Sequence, residues 1–109
     1  MSLEVLRAAL PPYARDIALN LGALAAESAL NERQRAGAFV AAALAARNAQ
    51  VSAALIAEFG PRLAPAALEA VKTAAAMMAM TNVYYRFTHQ VSNDEYARMP
   101  ARLLLNVLG

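Results

Sequence analysis

Thr73-Ala74-Ala75-Ala76-Met77-Met78-Ala79-Met80-Thr81-Asn82-Val83-Tyr84-Tyr85-Arg86-Phe87 is the stretch on which the fold turns. From Ala74 to Met80 it is apolar around the whole circumference of a helix. A helix without a solvent face belongs in the middle of something. The reading therefore predicts a central helix whose Met77 to Val83 portion is the most buried part of an all-α protein.

Working outward, Pro65 suits the first turn of this helix, which is predicted to reach about Gln90. One stripe along it carries Leu68, Val71, Ala75, Met78, Asn82 and Tyr85. Another carries Met77, Met80, Tyr84, Phe87 and Val91. Ala76 and Ala79 leave room for a second helix backbone to approach. Gly60-Pro61 stops the preceding helix, which is expected to begin near Asn48 and to turn Val51, Leu55 and Phe59 inward. Asn31 with Gln34 three residues on has capping-box spacing and opens a helix with Phe39, Val40 and Leu44 inside. Upstream, Tyr13, Ile17, Leu21 and Leu24 repeat at helical period opposite Asp16, Asn20 and Glu27, with Gly22 weakening the centre by about 1 kcal/mol. Ser2 caps a short first helix that Pro11-Pro12 ends. After the central helix, Ser92-Asn93-Asp94-Glu95 has the capping-box pattern and starts a short turn that Pro100 closes.

At 109 residues this is one all-helical unit, residues 1–109, with room for one core. Apolar residues make up 60% and charged residues 17%, too few charges to coat a lone small monomer generously. The end of the chain, Leu103-Leu104-Leu105-Asn106-Val107-Leu108-Gly109, is apolar where chain ends are usually polar. Both features predict a homo-oligomer or burial against a further segment.

Composition also excludes several classes. The formal net charge is only +2, from nine arginines and Lys72 spaced along the chain, which argues against a nucleic-acid partner. Without cysteine, thiol catalysis and disulfides within these residues are excluded. Neither Ala36 to Ala46 nor Thr73 to Tyr85 reaches the roughly 20 apolar residues of a membrane span. The first residues, with Glu4, Arg7 and the Pro11-Pro12 break, do not suit a signal peptide. A cytoplasmic protein without a membrane partner is the expectation.

Candidate chemistry is thin. His89 is the sole histidine and cannot build a histidine-cluster metal site; a polar contact near a helix end is the plainer role. Ser92 has no nucleophile turn around it, and capping accounts for it. Tyr84, Tyr85 and Arg86 could line a pocket, but core aromatics are the commoner reading. Met77, Met78 and Met80 read first as gap-filling core, and Asn82 as a hydrogen-bonded helix or subunit contact. No catalytic, cofactor-binding or metal-binding residue and no cofactor is assigned.

Several segments carry a resemblance. Met78 to Phe87 looks like the central helix of the alkylhydroperoxidase D (AhpD) family, Met1-Ser2-Leu3-Glu4 through Leu10-Pro11-Pro12-Tyr13-Ala14-Arg15-Asp16-Ile17 resembles its start, and Tyr96-Ala97-Arg98-Met99-Pro100-Ala101-Arg102 with Asn106-Val107 resembles the segment before its catalytic half. Leu103-Leu104-Leu105 departs from the more polar mixture expected there. The resemblance implies an AhpD-like multihelical bundle built from two similar halves, of which this chain is the first. It implies a homotrimeric antioxidant alkyl hydroperoxide reductase, with a peroxiredoxin and a dihydrolipoyl-bearing protein as partners. The family's Cys-x-x-Cys pair and its histidine and glutamate fall after the position matching Gly109, so no catalytic residue is carried over. On this expectation the chain alone is inactive. The alternative is a non-catalytic helical oligomerisation or protein-interaction module; a helical DNA-binding protein is a third reading that the scattered charge disfavours.

Overall fold

The computed structural model describes residues 2–91 and 94–99. Among these residues every regular element is helical and none is a strand: α1 (Leu3–Ala9), a 3-10 turn (Pro12–Ala14), α2 (Arg15–Ala25), α3 (Glu32–Ala45), α4 (Ala49–Phe59), a second 3-10 turn (Gly60–Arg62), α5 (Pro65–Gln90) and the short α6 (Asp94–Arg98).

Local chemistry sets most boundaries. The Ser2 hydroxyl accepts from the Val5 N–H at 3.3 Å and opens α1. Asn31 and Gln34 form the reciprocal box, with Gln34 N–H donating to Asn31 at 2.8 Å and Asn31 N–H to Gln34 at 3.0 Å. Both bonds satisfy donors that a helix start leaves orphaned. Asn48 caps α4 through the Gln50 and Val51 N–H groups. Pro61 falls in the turn that ends α4, and Pro65 occupies the first position of α5. The capping pattern at Ser92-Asn93 and the apolar run Leu103 to Leu108 lie outside the described residues.

The buried core is built by α1, α3, α4 and the turn after it: Leu3, Leu6, Ala36, Val40, Ala43, Ala54, Leu55, Phe59 and Leu63. Phe39 and Phe59 stack with ring centroids 4.3 Å apart and planes 6° from parallel, and the Arg62 guanidinium sits over Phe59 at 4.7 Å. From α5 only its first third closes on this core, through Ala67, Leu68 and Val71. Gly37 is where α3 and α5 come close: a Cβ there would meet Val71 Cγ2 at 3.4 Å.

Two expectations are corrected here. The Met77 to Val83 portion of α5 is not the most buried part of the chain; Met78 is 58% and Val83 64% exposed. The cause is length. The neighbours of Gly37 and of Leu44 place α3 alongside α5 in the same direction, and at 1.5 Å per residue α3 extends about 21 Å against about 39 Å for α5. Beyond Ala79 the described chain has no helix of comparable size beside α5. Second, most of the expected apolar stripe of α2 faces outward. Tyr13 is 92% exposed and Ile17 and Leu24 are more than half exposed, while Leu21 and Ala25 pack on the core. The side that packs inward is Ala18, Leu21, Gly22 and Ala25, so Leu21 of the expected stripe turns in, and the opposite row Asp16, Asn20 and Glu27 is exposed as expected.

Candidate functional site

Where α3 ends and α5 continues, the two helices leave an open groove of about 1090 Å³. Its apolar lining includes Ala41, Leu44 and Ala45 of α3 and Ala75, Ala79 and Val83 of α5. Alanine along this lining presents backbone and small methyls, the surface on which helices approach closely. Asn82 and three cations, Arg47, Lys72 and Arg86, border it, and among the described residues no acidic side chain does. Lys72 pairs with Glu69 at 3.3 Å, an exposed contact of small energetic weight. Arg47 and Arg86 make no ion pair among the described residues.

Arg47 holds a backbone conformation that costs energy. It follows the last turn of α3 with φ 57, the left-handed region, where glycine or asparagine is the usual occupant. Its N–H closes the turn onto the Leu44 carbonyl at 3.3 Å. The sequence reading did not single out Arg47. The available signal was an arginine, not a glycine, between the last apolar turn of α3 and the Asn48 cap.

Of the residues the sequence put forward, Met78, Asn82 and Arg86 reach this groove and His89 does not; His89 is exposed in the last turn of α5. Tyr84 is half-buried and Tyr85 exposed, their rings meeting edge to face at 5.2 Å and 81°. The core reading therefore fails for Tyr85, as it does for Met78 and Met80, both exposed. Asn82 is exposed as well, so the hydrogen bond that burial would have demanded is not required in the single chain. Ser92 lies outside the described residues. Among the described residues no group of three or more histidine, aspartate or glutamate side chains converges to hold a metal ion. No helix among them is long and apolar enough to cross a membrane.

The geometry thus defines an all-α scaffold with an open, apolar, cation-edged groove, and the 109 residues carry no thiol. No family model matches the chain. Known proteins do. It is 53% identical over 109 residues to the alkyl hydroperoxide reductase AhpD of Gluconacetobacter diazotrophicus, covering all of this chain and 60% of that one. It is 52% identical to the proteins of the same name from Rhodopseudomonas palustris strain BisA53 and Methylobacterium sp. strain 4-46, covering 60% and 62% of them. The chain is related along its whole length to the AhpD family, consistent with an N-terminal portion of it. It spans about three-fifths of the length of the relatives it matches.

Proposed function

We propose that these residues are the scaffold part of an alkyl hydroperoxide reductase of AhpD type. The observation that carries the reading is about half identity, sustained over all 109 residues, to relatives that bear that name. In the proposed reaction a dithiol reduces an alkyl hydroperoxide to the alcohol and water and becomes a disulfide. A dihydrolipoyl group then returns the disulfide to the dithiol and is itself oxidised to the cyclic disulfide. Recycling of a peroxiredoxin disulfide is the same exchange with a protein substrate. Only a thiolate attacks, and this chain has no cysteine, so the redox pair comes from outside these residues. The helices supply position and subunit contacts, in a cytoplasmic homotrimer on the family's pattern.

The test joins this chain to the unmatched remainder of the Gluconacetobacter diazotrophicus relative. The hybrid is expected to reduce an alkyl hydroperoxide at the expense of dihydrolipoamide, and the 109-residue chain is expected not to. Turnover by the short chain, or a folded hybrid that is inactive beside an active relative, overturns the proposal. The exposed apolar faces of α2 and α5 favour the second reading, a helical oligomerisation module without catalysis. An inactive hybrid that still assembles would select it.

A further inference from the structure

We infer that α2 opens as a unit while α3 and α4 stay closed, and that Arg7 and Arg35 are the two latches that hold it shut. Such a device stands apart from the activity proposed above. No residue of α2 is buried, whereas α1, α3 and α4 each contribute to the core. Leu21 and Ala25 are the residues of α2 that pack against that core, and both are only partly buried. The helix is also weak in itself. It is 11 residues long, shorter than an isolated helix that holds in water. Gly22 lies inside it, and no side chain caps its start, where Ser2, Asn31 and Asn48 cap α1, α3 and α4.

Two arginines from the neighbouring helices compensate. Arg7 of α1 donates from Nε to the Ala18 carbonyl at 2.7 Å, in the first half of α2. Arg35 of α3 donates from a terminal nitrogen to the Glu27 carbonyl, just past the other end. Both donors are charged, which strengthens the bonds. Gly22 admits the first latch, because a Cβ there would meet the Arg7 guanidinium carbon at 2.9 Å. The residue that weakens the helix is thus the one that lets the arginine lie across it. The second latch closes imperfectly. Arg35 Nε is buried with no hydrogen-bond partner among the described residues. Opening returns that N–H to water, so the closed state carries a cost that the open state does not.

The neighbours can stay in place while α2 leaves. Leu3 and Leu6 hold α1 in the core, and the Asn31–Gln34 box fixes the start of α3. Opening between these ends breaks the packing of Leu21 and Ala25 and the two arginine bonds. Once released, so short a helix unravels. The exposed pair Ile17 and Leu24 then loses its common face, and the core facet beneath Leu21 and Ala25 is uncovered. Anything that binds the folded outer face of α2 is favoured by closed latches and closes them in turn. Arg7 and Arg35 are therefore positioning residues for that face.

Native-state hydrogen exchange on the 109-residue protein, dilute and read by peptide mass spectrometry, tests this. Amides of α2 are expected to exchange about a hundredfold faster than those in the buried turns of α3 and α4, with little dependence on urea below the unfolding transition. Arg7→Met and Arg35→Met keep an apolar stem and remove the donor. Each is expected to speed exchange in α2 about tenfold or more, the scale of a lost charged hydrogen bond, and to leave α4 within about threefold of wild type. Wild-type α2 as protected as α4 would mean that it does not open separately, and the inference fails. A variant that leaves α2 at its wild-type rate, or speeds α2 and α4 alike, shows that its arginine is not a latch and overturns the pair. If Arg7→Met does not fold, the wild-type comparison still decides the opening and Arg35→Met the latches.

Discussion

Arg7 lies across Gly22. Its Nε donates to the Ala18 carbonyl at 2.7 Å, and a Cβ at residue 22 would meet the guanidinium carbon at 2.9 Å. The arginine also pairs with Glu4 at 2.7 Å, so it ties α1 to the exposed α2 through a helix carbonyl that already serves the ladder. Glycine at position 22 is therefore explained by a neighbour from another helix, which helix propensity by itself does not reveal.

A double-mutant cycle measures this relation. Gly22→Ala gains up to about 1 kcal/mol of helix propensity. In the wild type it must push aside a group whose charged hydrogen bond is worth about 1.5–3 kcal/mol if lost outright, and the flexible arginine surrenders only part of that. The expected net change is within about 1 kcal/mol of zero. In an Arg7→Ala background nothing opposes the methyl, and Gly22→Ala should stabilise by about 0.5–1 kcal/mol in urea unfolding. Equal effects in the two backgrounds would show that Arg7 does not set the residue at 22.

Phe59 is the pivot of the core. It is 1% exposed, stacks on Phe39 and lies beneath Arg62. Phe59→Ala removes a ring where α3, α4 and the following turn meet, and is expected to cost about 3–5 kcal/mol. For a chain of this size that is a large share of the total stability, so the urea midpoint should fall steeply or the variant should not fold. A loss below about 1 kcal/mol would place the core elsewhere.

Arg47→Gly is expected to move stability the other way. The left-handed backbone costs a non-glycine residue roughly 1 kcal/mol, and glycine removes that penalty. Glycine's greater freedom in the unfolded chain offsets part of it, so a gain of about 0.5–1 kcal/mol is expected. Arg47→Asn should fall between. A destabilised glycine variant would mean that the arginine side chain holds the turn through contacts that outweigh its backbone cost.

Where sequence reading succeeded, the signal was local. Ser2, Asn31 with Gln34, Asn48, Gly60-Pro61 and Pro65 each act on backbone groups within four residues, so the sequence contains both halves of the interaction. The inward set Val40, Leu55 and Phe59 was readable for a related reason, since α3 and α4 find each other inside the chain. The second half of α5 misled because an apolar circumference states a need for burial and not who meets it. Met78 and Val83 are exposed here because α3 runs out beside them. On α2 the period marked one apolar stripe, of which Leu21 turns inward; the Arg7 hydrogen bond to Ala18 and the packing of Leu21 and Ala25 rotate the buried face away from Ile17 and Leu24. The groove needed tertiary geometry throughout: Asn82 and Arg86 were noticed singly, and Arg47 was not.

Methionine oxidation tests which face of α5 is open without altering the sequence. Met78 and Met80 lie two residues apart on α5 and are both substantially exposed, but only Met78 borders the groove. Dilute hydrogen peroxide converts exposed methionine to the sulfoxide at a rate that follows access to the sulfur. In dilute, monomeric protein the two sites should react at similar rates, and faster than the half-buried Met77. Peptide mass spectrometry reads the three rates, and Met77 is expected to lag both neighbours. Oxidation of Met77 as fast as that of Met78 would place the open face of α5 elsewhere.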